Sequence, residues 1–379
     1  MNIKISADST CDLSPELIER YQIGIAPLYI VRDGESLVDG VDITPDQIYD
    51  HVSKSGSMCS TAAVSVYDYV TFFRKELETC DAVVHFHISE DMSACYQNAC
   101  IAAAEVGNVY PVDSRNLSTG IGLLVLEAAE LAREGKLTAR EIQQTMEQRR
   151  ELLDVSFLVE RLDYLHKGGR CSSVAALGAN VLSLRPCIQV KDGKMGVGKK
   201  YRGAYQKCLL QYVKERLEGH DDIDPHRIFV TESGGFTAEE VAEIEAAVRS
   251  YQPFEEVLHT RAGCTISSHC GPRTLGILYF HTREGKKEAH PVPHEAAPDI
   301  LPENIKINKY LLYRNGHKSK AYRFFSRQKA HIVVLLEGVV RYQRKFGTAG
   351  RRTGPLPDRE PDDSTRCRQK IRDQQIYRT

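Results

Sequence analysis

The chain has 379 residues and is 42% hydrophobic, too apolar for a disordered protein and long enough for two domains, or one large domain plus an appendage. No apolar run reaches the roughly 18 residues of a membrane helix, and the opening Met1-Asn2-Ile3-Lys4-Ile5 reads as a strand rather than a signal peptide, so no stable membrane insertion is expected. The net charge of −1 hides an asymmetry: residues 284–379 carry 21 Lys and Arg against 11 Asp and Glu, and the remainder carries 29 against 40. That shift places a boundary near Arg283. The eleven cysteines stand singly from Cys11 to Cys367 without a CxxC pair, the pattern of reduced thiols in a cytoplasmic protein rather than of disulfides or zinc; no metal site is expected.

In chain order, Ile3–Ala7 reads as a strand. Ser14-Pro15-Glu16 opens a helix over 14–22, with Pro at its first position. A strand over 24–31 follows, then a helix after the cap Thr44 and another near 66–78 after Ser65. Ala82–Ile88 is a nearly continuous β-rich run, as in a buried parallel strand. A helix near 93–106, a strand near 109–112 and helices near 115–134 and 138–152 complete a first half, residues 1–153. Its βα alternation predicts a parallel sheet flanked by helices. In the second half, 154–283, Phe157–Val159 is a strand. Asp192-Gly193 turns a hairpin. A helix over 204–218, a strand over 227–231, a helix over 237–250 and strands over 255–260 and 274–280 follow. This mixture predicts an α+β domain with a mixed sheet. The basic segment 284–379 is expected to be poorly ordered apart from one helix near 320–345.

Five segments could carry chemistry. Ser89–Gln97 follows a buried strand and opens a helix, where free N–H groups and the helix dipole favour an anion and Ser93 adds a hydroxyl. Ser60–Ser65 also precedes a helix and offers hydroxyls among small residues. Thr265–Pro272 places His269 in a Ser/Gly/Pro turn before the last strand, where an imidazole can donate to an anion or act as a base. Lys167-Gly168-Gly169-Arg170 and Lys199–Gly203 are basic turns able to hold an anion or a protein. Each also has an ordinary reading as a helix cap, a polar loop, an exposed histidine or a solvated turn. Gly193–Lys200 nearly fits GxxxxGK[ST], but Lys200 replaces the metal-binding hydroxyl and the stretch follows a hairpin turn, not a strand. No GxGxxG follows a strand, so no nucleotide or redox cofactor is expected.

Taken together these segments resemble the DegV family of bacterial lipid-binding proteins, which includes the fatty-acid-binding FakB subunits. Asp8-Ser9-Thr10-Cys11-Asp12-Leu13 is similar to the family's D-S-[ST]-x-D-L opening, and Ser89–Gln97 to its S-S-x-L-S-G-T-Y-Q segment. Leu165–Arg170 resembles L-x-K-G-G-R, and His269-Cys270-Gly271-Pro272 resembles H-x-G-P. The resemblance spans residues 1–283. It implies a two-domain fold with a lipid cleft between the halves. Thr61, Ser93 and His269 would hold a long-chain fatty-acid carboxylate, supported by the loops carrying Ser60, Ser89 and Gly271. Arg202, with Arg170, would contact a phosphate or a dihydroxyacetone-kinase-like subunit that phosphorylates the bound acid with ATP. Such a protein is a carrier rather than an enzyme. The sequence departs from the pattern at Glu90 and Asp91, whose charges would repel a carboxylate unless they face solvent, and at Ala94 and Cys270. The segment beyond 283 has no counterpart in the resemblance.

Three other readings compete. Ser93 and His269 could serve a lipid hydrolase as nucleophile and base, though there is no GxSxG elbow. The same cleft could take another lipid. The basic segment could bind nucleic acid, against which stand the acidic body and the lack of an aromatic-and-basic stripe.

Overall fold

The computed structural model describes residues 1–171, 173 and 184–282, and the backbone of four strands between 306 and 343. The chain forms two compact units, Met1–His294 and Glu295–Thr379.

The first unit begins with β1 (Ile3–Asp8), α1 (Pro15–Tyr21), β2 (Gly24–Ala26), β3 (Tyr29–Arg32), β4 (Glu35–Val38), α2 (Pro45–Ser55), β5 (Ser60–Ala62) and α3 (Val66–Glu76). It continues through β6 (Ala82–His87), α4 (Cys95–Val106), β7 (Val109–Asp113), α5 (Thr119–Glu134) and α6 (Ala139–Arg149). β2-β1-β6-β7 form a wholly parallel sheet, as the βα alternation predicts. The strand expected over 24–31 breaks in two. Gly24–Ala26 joins the parallel sheet, whereas Tyr29–Arg32 pairs antiparallel with β4 and β5 in a small second sheet. Residues 60–62 are therefore strand, not the loop expected from their polar sequence.

The second half runs β8 (Leu153–Leu158), α7 (Asp163–Gly168), β9 (Leu184–Lys191), β10 (Lys194–Arg202), α8 (Tyr205–Leu217), β11 (Ile223–Glu232), α9 (Ala238–Tyr251), β12 (Glu256–Arg261), α10 (Cys264–Cys270) and β13 (Leu275–His281). Its six strands are ordered β10-β9-β8-β13-β11-β12, with β11 and β12 parallel and the other neighbours antiparallel. The mixed sheet is as expected, and Asp192-Gly193 turns the β9–β10 hairpin.

Helix α5 is the centrepiece. Its residues from Thr119 to Leu126 are all buried, the signature of a helix covered on every side. It packs on β1 and β6 of the parallel sheet and on β8, β11 and β13 of the mixed sheet. Gly122 lets it close on Leu13 and the Cys11 carbonyl, where a Cβ would stand 2.9 and 3.1 Å away. One apolar core therefore runs from Ile5 and Phe86 through Leu124 to Phe157 and Phe229. A second core covers the outer face of the mixed sheet under α8 and α9, around Tyr212, Ile228 and Ile277. Arg227, 5% exposed, bonds Glu130 of α5 at 2.7 Å, Glu256 of β12 at 2.6 Å and the Tyr21 hydroxyl at 3.2 Å, tying the two halves together.

In the second unit, β14 (Lys306–Arg314), β15 (His317–Phe325), β16 (Ala330–Leu336) and β17 (Val339–Gln343) form an antiparallel meander. The helix expected near 320–345 is replaced by strands. Its β-branched and aromatic residues (Ile332, Val333, Val334, Val339, Val340, Tyr342) carry strand preference. The remainder of 284–379 lies outside the described residues.

Candidate functional site

The histidine expected in a turn lies instead in the last turn of α10. Thr265-Ile266-Ser267-Ser268 reads as a poor helix, and the reason it forms is tertiary. A helix begins with unpaired N–H groups, and here they are satisfied by carboxylates from the first half. Asp12 Oδ1 accepts from Gly263 N–H at 2.8 Å. Asp39 accepts from Cys264 N–H at 3.0 Å, Thr265 N–H at 3.2 Å and the Thr265 hydroxyl at 2.7 Å. The charge of Asp39 also suits the positive end of the helix dipole. Asp12 is buried; burial pushes its carboxyl up to about 8, opposed by hydrogen bonds from Ser118 and Gly263 N–H and reinforced by the charge of Asp39. Ser118 donates to its other oxygen at 2.5 Å.

At the far end of α10, His269 Nε2 lies 2.9 Å from Thr61 Oγ1 on β5. The other ring nitrogen, Nδ1, is buried with no hydrogen-bond partner among the described residues. It faces Gly168 at the end of α7, where a Cβ would stand only 2.4 Å away. Burial lowers the imidazole to about 4, and the positive charge of Arg170 adds to the effect. His269 is therefore neutral at pH 7, with one nitrogen able to donate and the other to accept. Gly271 follows with φ +75°, and a Cβ there would meet the Tyr164 ring at 2.6 Å; its carbonyl accepts from the Ser233 hydroxyl at 2.6 Å.

Ser93 sits just ahead of α4, partly buried, where the parallel strand β6 delivers its carboxyl end. The turn is built on Ser89, whose carbonyl accepts from Met92 N–H at 2.9 Å and Ser93 N–H at 3.1 Å. The Ser93 hydroxyl accepts from Cys95 N–H at 3.3 Å and donates to the Cys95 sulfur at 3.2 Å, so it caps α4 locally. Ser89 is wholly buried and donates to the Gly193 carbonyl at 2.7 Å. Its hydroxyl is thus committed to tying this turn to the β9–β10 hairpin. Glu90 and Asp91 are both exposed, and Asp91 pairs with Lys194 at 3.6 Å.

Of the residues expected to act together, the structure joins Thr61 and His269 directly. Ser93 is bonded within its own turn. Ser60 is exposed on β5 opposite Val31. Arg170 is exposed, folded back on the Gly168 carbonyl at 2.8 Å. Arg202 is exposed at the end of β10. Among the described residues a Ser93–His269 nucleophile pair is not formed: Nε2 is engaged by Thr61, and no carboxylate there meets Nδ1. Asp12, within the opening motif, and Gly168, within the basic turn, also belong to the site, and neither carries a role of its own in the sequence. An acid with no local positive partner was the available signal for a distant helix start.

Two cavities flank these elements. One of about 540 Å³ opens on the outer edge, lined by Asp46, Glu232, Glu245 and Arg261 with the start of α9; its three carboxylates disfavour an anion, and it lies away from Thr61, Ser93 and His269. The other, about 30 Å³, is apolar and lies between the start of α5, the mixed sheet and α10, bordered by Leu117, Phe157, Ile266, Cys270 and Leu278. Among the described residues no helix is long and apolar enough to cross a membrane.

These features define an α/β protein of two sheets clasped on one buried helix, with a histidine–hydroxyl pair where the halves meet. The profile described as "Uncharacterised protein, DegV family" matches residues 2–282, and the chain belongs to the DegV family. A DegV domain-containing protein of Clostridium perfringens is 32% identical over 281 residues, covering 73% of this chain and 98% of that one. A DegV family protein of Thermus thermophilus, described for fatty acid binding, is 31% identical with a TM-score of 0.66 over 74% of this chain and all of that one. A stearic-acid-binding protein of Eubacterium ventriosum is 29% identical with a TM-score of 0.65 over 75% of this chain and 99% of that one.

Proposed function

We propose that this chain is a fatty-acid carrier whose ligand carboxylate is held by Thr61, Ser93 and His269. The observation that carries the reading is the His269–Thr61 pair at 2.9 Å, with the second imidazole nitrogen unpaired beside it, in a chain that spans nearly the full length of fatty-acid-binding relatives. A neutral imidazole and two hydroxyls can donate to a carboxylate without placing a second charge in the seam. Hydrogen bonding is required there, because an unpaired buried carboxylate would cancel the gain from the acyl chain.

The chain would follow the apolar seam beside α10, where each buried methylene contributes about 0.8 kcal/mol. Ligand pockets run to roughly 300–1,000 Å³, whereas the seam cavity is about 30 Å³. Among the described residues, admission of an acyl chain beside α10 would need α10 or its neighbours to move apart. Arg170 and Arg202, both exposed, would meet a separate ATP-dependent kinase subunit or the acyl phosphate it makes, with the carrier itself doing no chemistry.

The test is extraction and mass spectrometry of lipid from purified protein, beside a Ser93→Ala/His269→Ala double variant. A stoichiometric long-chain fatty acid in the wild type, lost in the variant, supports the reading. Another lipid class in its place, or no uptake of added oleate, removes it.

A further inference from the structure

The face of the parallel sheet that packs under α3 carries a polar cluster in otherwise apolar surroundings. His85 and His87 alternate along β6 and so point to the same side. The register sets Ser6 of β1 beside His85, which puts Asp8 beside His87. All three side chains, Asp8, His85 and His87, are completely buried. Phe72 and Phe73 of α3 wall the cluster, with ring centroids 5.5 and 5.2 Å from His85.

Their polar atoms converge on one point. Asp8 Oδ1 lies 3.2 Å from His85 Nε2 and 3.5 Å from His87 Nδ1. The three candidate ligand atoms all lie within 4.8 Å of one another. Ligand atoms about 2.0–2.1 Å from a zinc-type ion stand about 3.4 Å apart at the corners of a tetrahedron. The Tyr69 hydroxyl, 2.6 Å from Asp8 Oδ1 and 3.3 Å from His87 Nδ1, supplies an oxygen near the fourth corner.

Hydrogen bonding alone accounts poorly for this arrangement. Three groups crowd a single carboxylate oxygen, while Oδ2 has one contact, from Ile88 N–H at 3.3 Å. His87 meets Asp8 only at 3.5 Å, and its Nε2 is buried with no partner among the described residues. The outer contact of His85 is that of a metal ligand. Ser6 Oγ lies 2.7 Å from His85 Nδ1, leaving Nε2 free to turn its lone pair inward, as hydrogen-bonded metal-ligating histidines do.

We propose that Asp8, His85 and His87, with Tyr69 as the fourth group, bind one divalent first-row transition ion of the zinc type. Two imidazoles and a carboxylate suit such an ion, and not the oxygen-only shells of magnesium or calcium. The site is closed and needs no open coordination position, so the ion is structural, pinning β1 to β6 beneath α3. It is independent of the fatty-acid reading.

The experiment uses the untagged full chain, unfolded with EDTA in denaturant and refolded with zinc chloride, with cobalt chloride or with EDTA. After desalting, metal is measured by plasma mass spectrometry. The expected result is near-stoichiometric zinc, a higher Tm for the zinc-refolded than the EDTA-refolded protein, and the visible absorption of tetrahedral nitrogen–oxygen cobalt. His87→Gln should lose the ion. If that variant fails to refold, the wild-type cobalt spectrum and Tm difference decide. Trace metal only with no Tm difference, a thiolate-to-cobalt charge-transfer band placing the ion on cysteines, or full metal retained by a folded His87→Gln would each overturn the site.

Discussion

Gly168→Ala puts the candidate head-group site under a defined load. Gly168 ends α7 and its φ is not positive, so the backbone accepts alanine and the helix gains up to about 1 kcal/mol. The added Cβ, however, would stand 2.4 Å from His269 Nδ1 and 3.3 and 3.4 Å from two ring carbons. Ordinary contact is about 3.5 Å, so the imidazole must retreat by about 1 Å. The Thr61–His269 bond, 2.9 Å long, cannot keep its geometry under a displacement of that size. Losing a hydrogen bond to a charged ligand group costs about 1.5–3 kcal/mol, or about 10- to 100-fold in affinity. Displacement of a fluorescent fatty acid measures this, with Tm followed in parallel. Gly196→Ala, where a Cβ would meet nothing within 4 Å, is the control and should bind as wild type. If Gly168→Ala binds fatty acid with wild-type affinity at an unchanged Tm, His269 does not hold the head group.

Thr61→Val keeps the shape of the side chain but leaves both nitrogens of His269 unpaired, so it should cost about 1–3 kcal/mol in chemical denaturation and weaken ligand binding as well. Arg227→Ala leaves Glu130 to the Tyr21 hydroxyl at 3.1 Å and Glu256 to Arg20 at 3.6 Å; with both acids about one-third exposed, the expected loss is about 2–3 kcal/mol, below the ~3–5 of a fully buried pair. Asp12 has a folded pKa raised to about 8 from 3.8, so its protonated form stabilises the fold below pH 4 and that contribution is lost as pH rises toward 8. Asp12→Asn, a fixed mimic of the protonated acid, should therefore gain Tm relative to wild type between pH 4 and 8; a constant difference across that range would refute the assignment.

The fold was legible where the pattern was local. Ala82–Ile88 announced a buried strand, and Ser14, Thr44, Ser65 and Thr138 each marked a helix start that the structure confirms with a side-chain bond. It was not legible where distant groups decide. Cys264–Cys270 is helical because Asp12 and Asp39 satisfy its first N–H groups from more than 220 residues away, which no window of sequence contains. Ser60 and Thr61 look like loop residues and become strand only because β3 offers an unpaired edge. Thr61 and His269 were singled out by the resemblance, yet the Gly168 contact that sets the imidazole's position was not. Asp8 and the alternating His85 and His87 belong to an opening motif and a β-rich run, and a cluster split between two parallel strands has no motif spacing.

The same long-range capping fixes how the seam can open. α10 is clamped at its start by hydrogen bonds to two carboxylates, and one of them, Asp12, is itself held by Ser118 at the entrance of α5. Its other end is held by the Thr61–His269 bond and by the Ser233–Gly271 contact. Room for an acyl chain beside Ile266 and Cys270 would therefore come by swinging the histidine end away from β5, with the Asp12–Asp39 end as the pivot. A carboxylate arriving at that end would sit between Thr61 and His269, accept from both, and offset the loss of the bond that held the seam shut. If Thr61 and His269 hold the head group as proposed, the same pair is also the latch, and head-group recognition would be tied to admission of the chain.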